Sequence, residues 1–132
     1  MIAAAVYRDG ETGTTRRLGG GTATAHIAVA GDRLTLDLDF APGWHANSHQ
    51  PLNPDLIATS LNGAGLGGVS YPNPKMVSLG FQDEPVAVLE NQARIEAVVG
   101  PGTEAAELTI QICGSDRCLP PEQHVFRLPN RI

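Results

Sequence analysis

The chain has 132 residues and a net charge of −5, nine Lys and Arg against fourteen Asp and Glu. That is enough for one domain, and too few basic residues, scattered apart from Arg16-Arg17, for the basic face that nucleic acid requires. Apolar residues make up 42% but aromatics only 5%, so the core must be aliphatic. Gly 15 and Pro 10, about one residue in five, predict many turns and argue against long helices. No stretch approaches the ~18 apolar residues of a membrane-spanning helix, and Met1 to Val6 lacks the length and basic start of a signal peptide.

In chain order, Ile2 to Tyr7 reads as a short strand. Residues 8–21, RDGETGTTRRLGGG, have no period and many breakers, so 1–21 is expected to be a short strand and a flexible arm. From Thr22 the pattern changes. TATAHIAVA (22–30) and RLTLDLDF (33–40) flank Gly31-Asp32, and Leu34, Leu36, Leu38 and Phe40 alternate with Thr35, Asp37 and Asp39. A period of two marks a strand with one buried and one wet face, and the pair predicts a hairpin.

Further strands are expected at LIATSL (56–61), LGGVSY (66–71), KMVSLGF (75–81), PVAVLE (85–90), ARIEAVV (93–99), ELTIQIC (107–113) and EQHVFRL (122–128), separated by turn-forming Gly, Pro, Asn and Asp. About nine short strands without a helical stretch predict an all-β, immunoglobulin-like antiparallel β-sandwich over 22–132, although the usual inter-sheet cysteine pair is absent.

The two cysteines, Cys113 and Cys118, lie four residues apart near the carboxyl end. If ELTIQIC and the following strand are neighbours, GSDR is a hairpin loop and the cysteines face each other at a Cα spacing of ~4.5 to 5.5 Å, within disulfide reach. The ring is short, so its stabilising value is only about 2 kcal/mol. Pro120 and Pro121 lack the N–H needed for normal ladder pairing and leave the second cysteine on an edge or bulge, open to a partner. Redox exchange, a plain structural disulfide and half of a metal site remain open, in that order of preference.

Gly43-Trp44-His45-Ala46-Asn47-Ser48, Pro51-Leu52, Tyr71-Pro72 and above all Gln111-Ile112-Cys113-Gly114-Ser115-Asp116-Arg117-Cys118-Leu119-Pro120-Pro121-Glu122 resemble the amino-terminal periplasmic domain of the thiol:disulfide interchange protein DsbD family, over about Thr22 to Leu128. The resemblance implies a periplasmic thiol:disulfide oxidoreductase domain without a cofactor. It also implies that the domain is joined to a membrane-embedded part of a larger inner-membrane protein; a monomer is expected. A thioredoxin-like domain would reduce the cysteine pair, which would then reduce periplasmic thioredoxin-fold partners, including proteins of cytochrome c-type biogenesis. By the same resemblance Cys118 forms the mixed disulfide and Cys113 resolves it, while Phe81, in the stretch Leu79 to Glu84, caps the pair. The resemblance makes His45, Asn47 and Pro120 site-lining residues; the chain departs from the family in having His45 and Asn47 where tyrosines often stand near the cysteines, and four rather than five residues between the cysteines.

Several residues also have ordinary readings. The single tryptophan, Trp44, is more often a core anchor in a sandwich. His45 and His49 are four apart, but Pro42, Gly43, Asn47 and Pro51 argue against a helix that would bring them together. With His124 and the cysteines they form the alternative expectation, a copper or zinc module. A structural sandwich with a hairpin disulfide is the third. Glu90 and Glu122 could assist proton transfer during exchange, but charged strand residues are usually only solvated and that reading is preferred; no nucleophile triad or phosphate loop stands out.

Overall fold

The computed structural model of the protein describes residues 13–53, 55–78 and 85–128. Among the described residues every strand pairing is antiparallel, in three sheets. The first contains β1 (Gly13–Leu18), β2 (Ala23–Ala30), β3 (Arg33–Phe40), β9 (Gln92–Val99) and β6 (Leu66–Ser70), in that spatial order. The second contains β12 (Glu122–Arg127), β10 (Ala105–Ile110) and β5 (Ser60–Asn62). The third contains β11 (Ile112–Cys113), β4 (His45–Asn47), β8 (Val86–Glu90) and β7 (Lys75–Val77). No described helix is long and apolar enough to cross a membrane. This is the all-β, immunoglobulin-like sandwich expected.

The predicted hairpin is present: β2 pairs β3 from Ala23↔Phe40 to Ala30↔Arg33. Its alternation puts Ala25, Ile27, Val29, Leu34, Leu36 and Leu38 into the core, where Ile95 of β9 and Leu61, Leu108, Ile110 and Phe126 of the second sheet meet them. Burying such side chains stabilises by roughly 1.5–3 kcal/mol each, and this drives the layers together. Strand β8 is buried at Val86, Ala87, Val88 and Leu89 alike. Its apolar run without alternation reflects a strand covered on both faces.

The arm expected at 8–21 is corrected over its second half. Residues 13–18 form edge strand β1, paired residue by residue with β2 from Gly13↔Ala28 to Leu18↔Ala23. Leu18 is fully buried, and Arg16 reaches inward to donate from Nη1 to the Val125 carbonyl at 3.0 Å, its guanidinium 4.4 Å from the Phe126 ring centroid. Pairing with a preformed hairpin and one apolar contact outweigh a turn-rich local sequence. The strand expected at Ile2 to Tyr7 lies outside the described residues.

Three other differences concern the second and third sheets. LIATSL shrinks to β5 at 60–62, because Asn47 ties its first half into a loop. Strand β4, at three residues, is too short to show a period, and Pro42, Gly43 and Pro51 around it read as a loop. ELTIQIC is not one strand but two: after Ile110 the chain leaves the second sheet, passes Gln111 and enters the third as β11. The cysteine pair therefore sits where two sheets adjoin.

Candidate functional site

Cys113 and Cys118 are joined as a disulfide with a Cα separation of 3.9 Å, closer than the spacing expected for two regular strands. The pair forms an isolated antiparallel bridge beyond the β10–β12 ladder rather than a rung of it. Two backbone hydrogen bonds close this hairpin independently of the sulfurs. The Gly114 N–H donates to the Arg117 carbonyl at 2.7 Å, and the Leu119 N–H donates to the Ile112 carbonyl at 2.8 Å. Gln111 adds a third from its side chain, Nε2 to the Leu119 carbonyl at 3.1 Å. Pro120 and Pro121, both exposed, span the gap before β12 begins at Glu122.

The two sulfur-bearing residues have unlike surroundings. Cys113 is 2% exposed, held in β11 against β4, whereas Cys118 is exposed with Ser115, Asp116 and Arg117. Of the two, Cys118 is the residue that solvent reaches.

Trp44 is half-buried and packs on the core, yet its ring edge would lie 3.3 Å from a Cβ placed on Gly114, and the Arg117 guanidinium stands 5.9 Å from its centroid. It is thus both a core residue and one wall of the cysteine hairpin. A side chain at position 114 would press on this wall, which accounts for glycine there.

Beneath the hairpin lies a three-glycine 3-10 turn, Gly19–Gly21. The Gly19 N–H donates to Glu122 Oε2 at 2.8 Å, and the other oxygen of this carboxylate, Oε1, bonds His124 Nε2 at 2.8 Å. A Cβ on Gly19 would approach Ile112 Cδ1 at 2.9 Å and Leu119 Cδ1 at 3.2 Å, and its φ is +55°. Glu122, expected to be merely solvated, therefore fastens the turn after β1 to the strand that follows the cysteines. No sequence signal links two residues so far apart in the chain.

His45 is the direct register partner of Cys113 on one side and of Glu90 on the other. It is 5% exposed, and its Nε2 has no hydrogen-bond partner among the described residues. Burial holds its pKa below the ordinary 6.5, against an opposing pull from the Glu90 carboxylate. Glu90 in turn accepts an ion pair from Lys75 Nζ at 2.9 Å. Asn47 is also buried but is occupied structurally: its Nδ2 donates to the Ile57 carbonyl at 2.9 Å, and its own carbonyl accepts from Thr59 Oγ1 at 2.6 Å. Of the two site-lining residues expected from β4, only His45 stands next to a cysteine in register.

Two histidines of the metal alternative have other partners. His49 stacks on Tyr71 with centroids 3.8 Å apart, His124 is held by Glu122, and no group of three His, Cys, Asp or Glu side chains suited to a metal ion assembles among the described residues. Phe81 and the cap stretch Leu79 to Glu84 lie outside the described residues.

A family model described as "Thiol:disulfide interchange protein DsbD, N-terminal" matches residues 20–130. No curated protein matches the chain by sequence. Among solved structures, the N-terminal periplasmic domain of ScsB from Proteus mirabilis superposes with a TM-score of 0.69 at 14% identity, covering 89% of this chain and 51% of its own, so the chain spans about half that relative's length. The reduced N-terminal domain of DsbD from Neisseria meningitidis gives a TM-score of 0.63 at 19% identity over 83% of this chain and 87% of its own. A structure of the complex between the DsbD N-terminal and PilB N-terminal domains of the same organism gives 0.58 at 18% identity, over 83% and 84%. At such identities these likenesses carry the fold.

Proposed function

The chain belongs to the family of DsbD amino-terminal domains, and from that membership we propose that it is a periplasmic thiol:disulfide exchange module acting through Cys113 and Cys118. The observation that carries this reading is a disulfide with one buried and one exposed cysteine, closing a hairpin that other bonds already close. A structural staple would join distant segments, and a short ring adds only about 2 kcal/mol. Exposure of one sulfur is what exchange requires, because the attacking thiolate must reach it in line.

In the reducing direction the Cys118 thiolate attacks a partner disulfide, forming a mixed disulfide and releasing one partner thiolate. Cys113 then attacks Cys118 Sγ, closing the 113–118 bond and releasing the second partner thiolate. Two electrons pass to the partner. The proposed electron donor is a thioredoxin-like domain and the acceptors are periplasmic thioredoxin-fold proteins. That a similar domain forms a complex with another protein's N-terminal domain supports a protein domain as the partner. Phe81, by the family's pattern, caps the pair between encounters.

The test is a redox titration followed by transfer. Equilibration with glutathione should give a reversible two-electron transition, and the reduced protein should reduce an oxidised thioredoxin-fold domain. A disulfide that resists glutathione and passes no electrons would return the pair to a structural role.

A further inference from the structure

Register places Cys113, His45 and Glu90 in one transverse row across β11, β4 and β8, with Lys75 of β7 closing it through Glu90. Directly opposed residues project to the same face with Cβ atoms about 4.5–5.5 Å apart. The row begins at the buried sulfur, and its second member is a buried imidazole whose Nε2 has no partner among the described residues. An unpaired buried polar atom ordinarily costs about 1–3 kcal/mol, so its lack of a partner in the disulfide form calls for an account. The oxidised pair carries no S–H. The reduced pair carries one on Cys113, the direct register neighbour of that ring.

We propose that His45 is the proton acceptor for the Cys113 thiol, converting it to the thiolate that resolves the mixed disulfide. The inference rests on the exchange reading above and assigns the proton step within it. With Cys118 bound to the partner, the Cys113 S–H proton passes to neutral His45. The resulting thiolate attacks Cys118 Sγ, the bond from Cys118 to the partner sulfur breaks, and the partner leaves as a thiolate. The proton on His45 then passes to that thiolate or to water. Sulfur electrons and protons balance without another reagent.

The surroundings fit this role. A thiol that is 2% exposed resists ionising alone, since burial disfavours the thiolate. A base that is neutral at working pH is ready to accept. Burial keeps His45 neutral, and Glu90, the charged group acting on it from β8, stabilises the imidazolium once formed. On the opposite side β11 presents Cys113 itself.

The experiment uses the reduced protein and the aromatic disulfide 5,5′-dithiobis(2-nitrobenzoate), which releases one coloured thiolate on attack by Cys118 and a second on resolution by Cys113. His45→Phe and His45→Gln should leave the first release unchanged and slow the second by about 10²-fold, the smaller end of general-base effects. In the unaltered protein the second release should be flat with pH from about 6.5 to 8, whereas in the variants it should rise tenfold per unit as free thiolate accumulates. An unaltered second phase in either folded variant would overturn the assignment. So would a wild-type second phase that rises tenfold per unit without a plateau, a readout that needs no variant. If the wild type gives the first release but never the second, the exchange reading itself fails, which separates the two conclusions.

Discussion

Cys113 and Cys118 share one bond but not one environment: the first is buried in β11 beside His45, and the second lies in the open on the far side of a four-residue loop. The roles proposed for the two sulfurs rest on this difference. Cys113→Ser should trap a mixed disulfide with a thioredoxin-fold partner, because the exposed cysteine still attacks and nothing resolves it. Cys118→Ser should trap none and transfer no electrons. Non-reducing electrophoresis after mixing with an oxidised partner reads both, and trapping by Cys118→Ser would reverse the assignment.

Reduction should leave the fold intact. The Gly114–Arg117 and Leu119–Ile112 backbone bonds do not involve the sulfurs, and opening the short ring costs no more than about 2 kcal/mol. Circular dichroism should change little on adding a reductant. Global unfolding would contradict the exchange reading.

Burial of His45 predicts a particular acid sensitivity. Its folded pKa lies below the ordinary 6.5, so as pH falls below that value the unfolded chain binds a proton that the folded chain refuses. Stability should therefore decline with acid from about pH 6.5 and level off once the folded pKa is passed. His45→Phe should remove this component while leaving the carboxylate-driven part of the acid transition. Denaturant melts at several pH values measure the difference, and parallel curves for the two proteins would argue against a depressed pKa.

Gly19→Ala should destabilise the protein by about 1–3 kcal/mol, since the new methyl meets Ile112 and Leu119 and the backbone there has positive φ. Gly20→Ala, also at positive φ but with open space around it, should cost less. Urea midpoints of the two variants give the comparison, and equal losses would mean that backbone strain rather than the contact decides.

Phe81→Ala should speed reaction of the pair with small thiols and oxidants with little change in thermal stability, as expected if the ring controls access. A loss of the ~3–5 kcal/mol typical of a buried phenylalanine, with unchanged rates, would place Phe81 in the core instead.

Much of this was legible in the sequence where local pattern and final environment agree. The alternation of Leu34, Leu36 and Leu38 marks the β3 face directly, and the Cys113–Cys118 spacing places the two cysteines within disulfide reach. What was not legible depends on partners distant in the chain. β1 is a strand because β2 lies beside it, β4 because β8 and β11 enclose it, and Glu122 is anchored because Gly19 comes within reach. Asn47 looked like a site residue by position, but its hydrogen bonds to residues 57 and 59 place it among the scaffold.

The seat under the cysteine hairpin has a consequence for turnover. Gly19, gripped by Glu122 and packed against Ile112 and Leu119, fixes the loop from below by contacts that take no part in the redox chemistry. If the hairpin is the docking face proposed above, gaining or losing two electrons should leave its outline nearly the same. A partner would then have little shape by which to distinguish spent from charged protein, and release after transfer would come from the chemistry at the sulfurs. Oxidised copies would accordingly compete with reduced ones for the same acceptors, and flux would follow the ratio of the two forms rather than the total amount of protein.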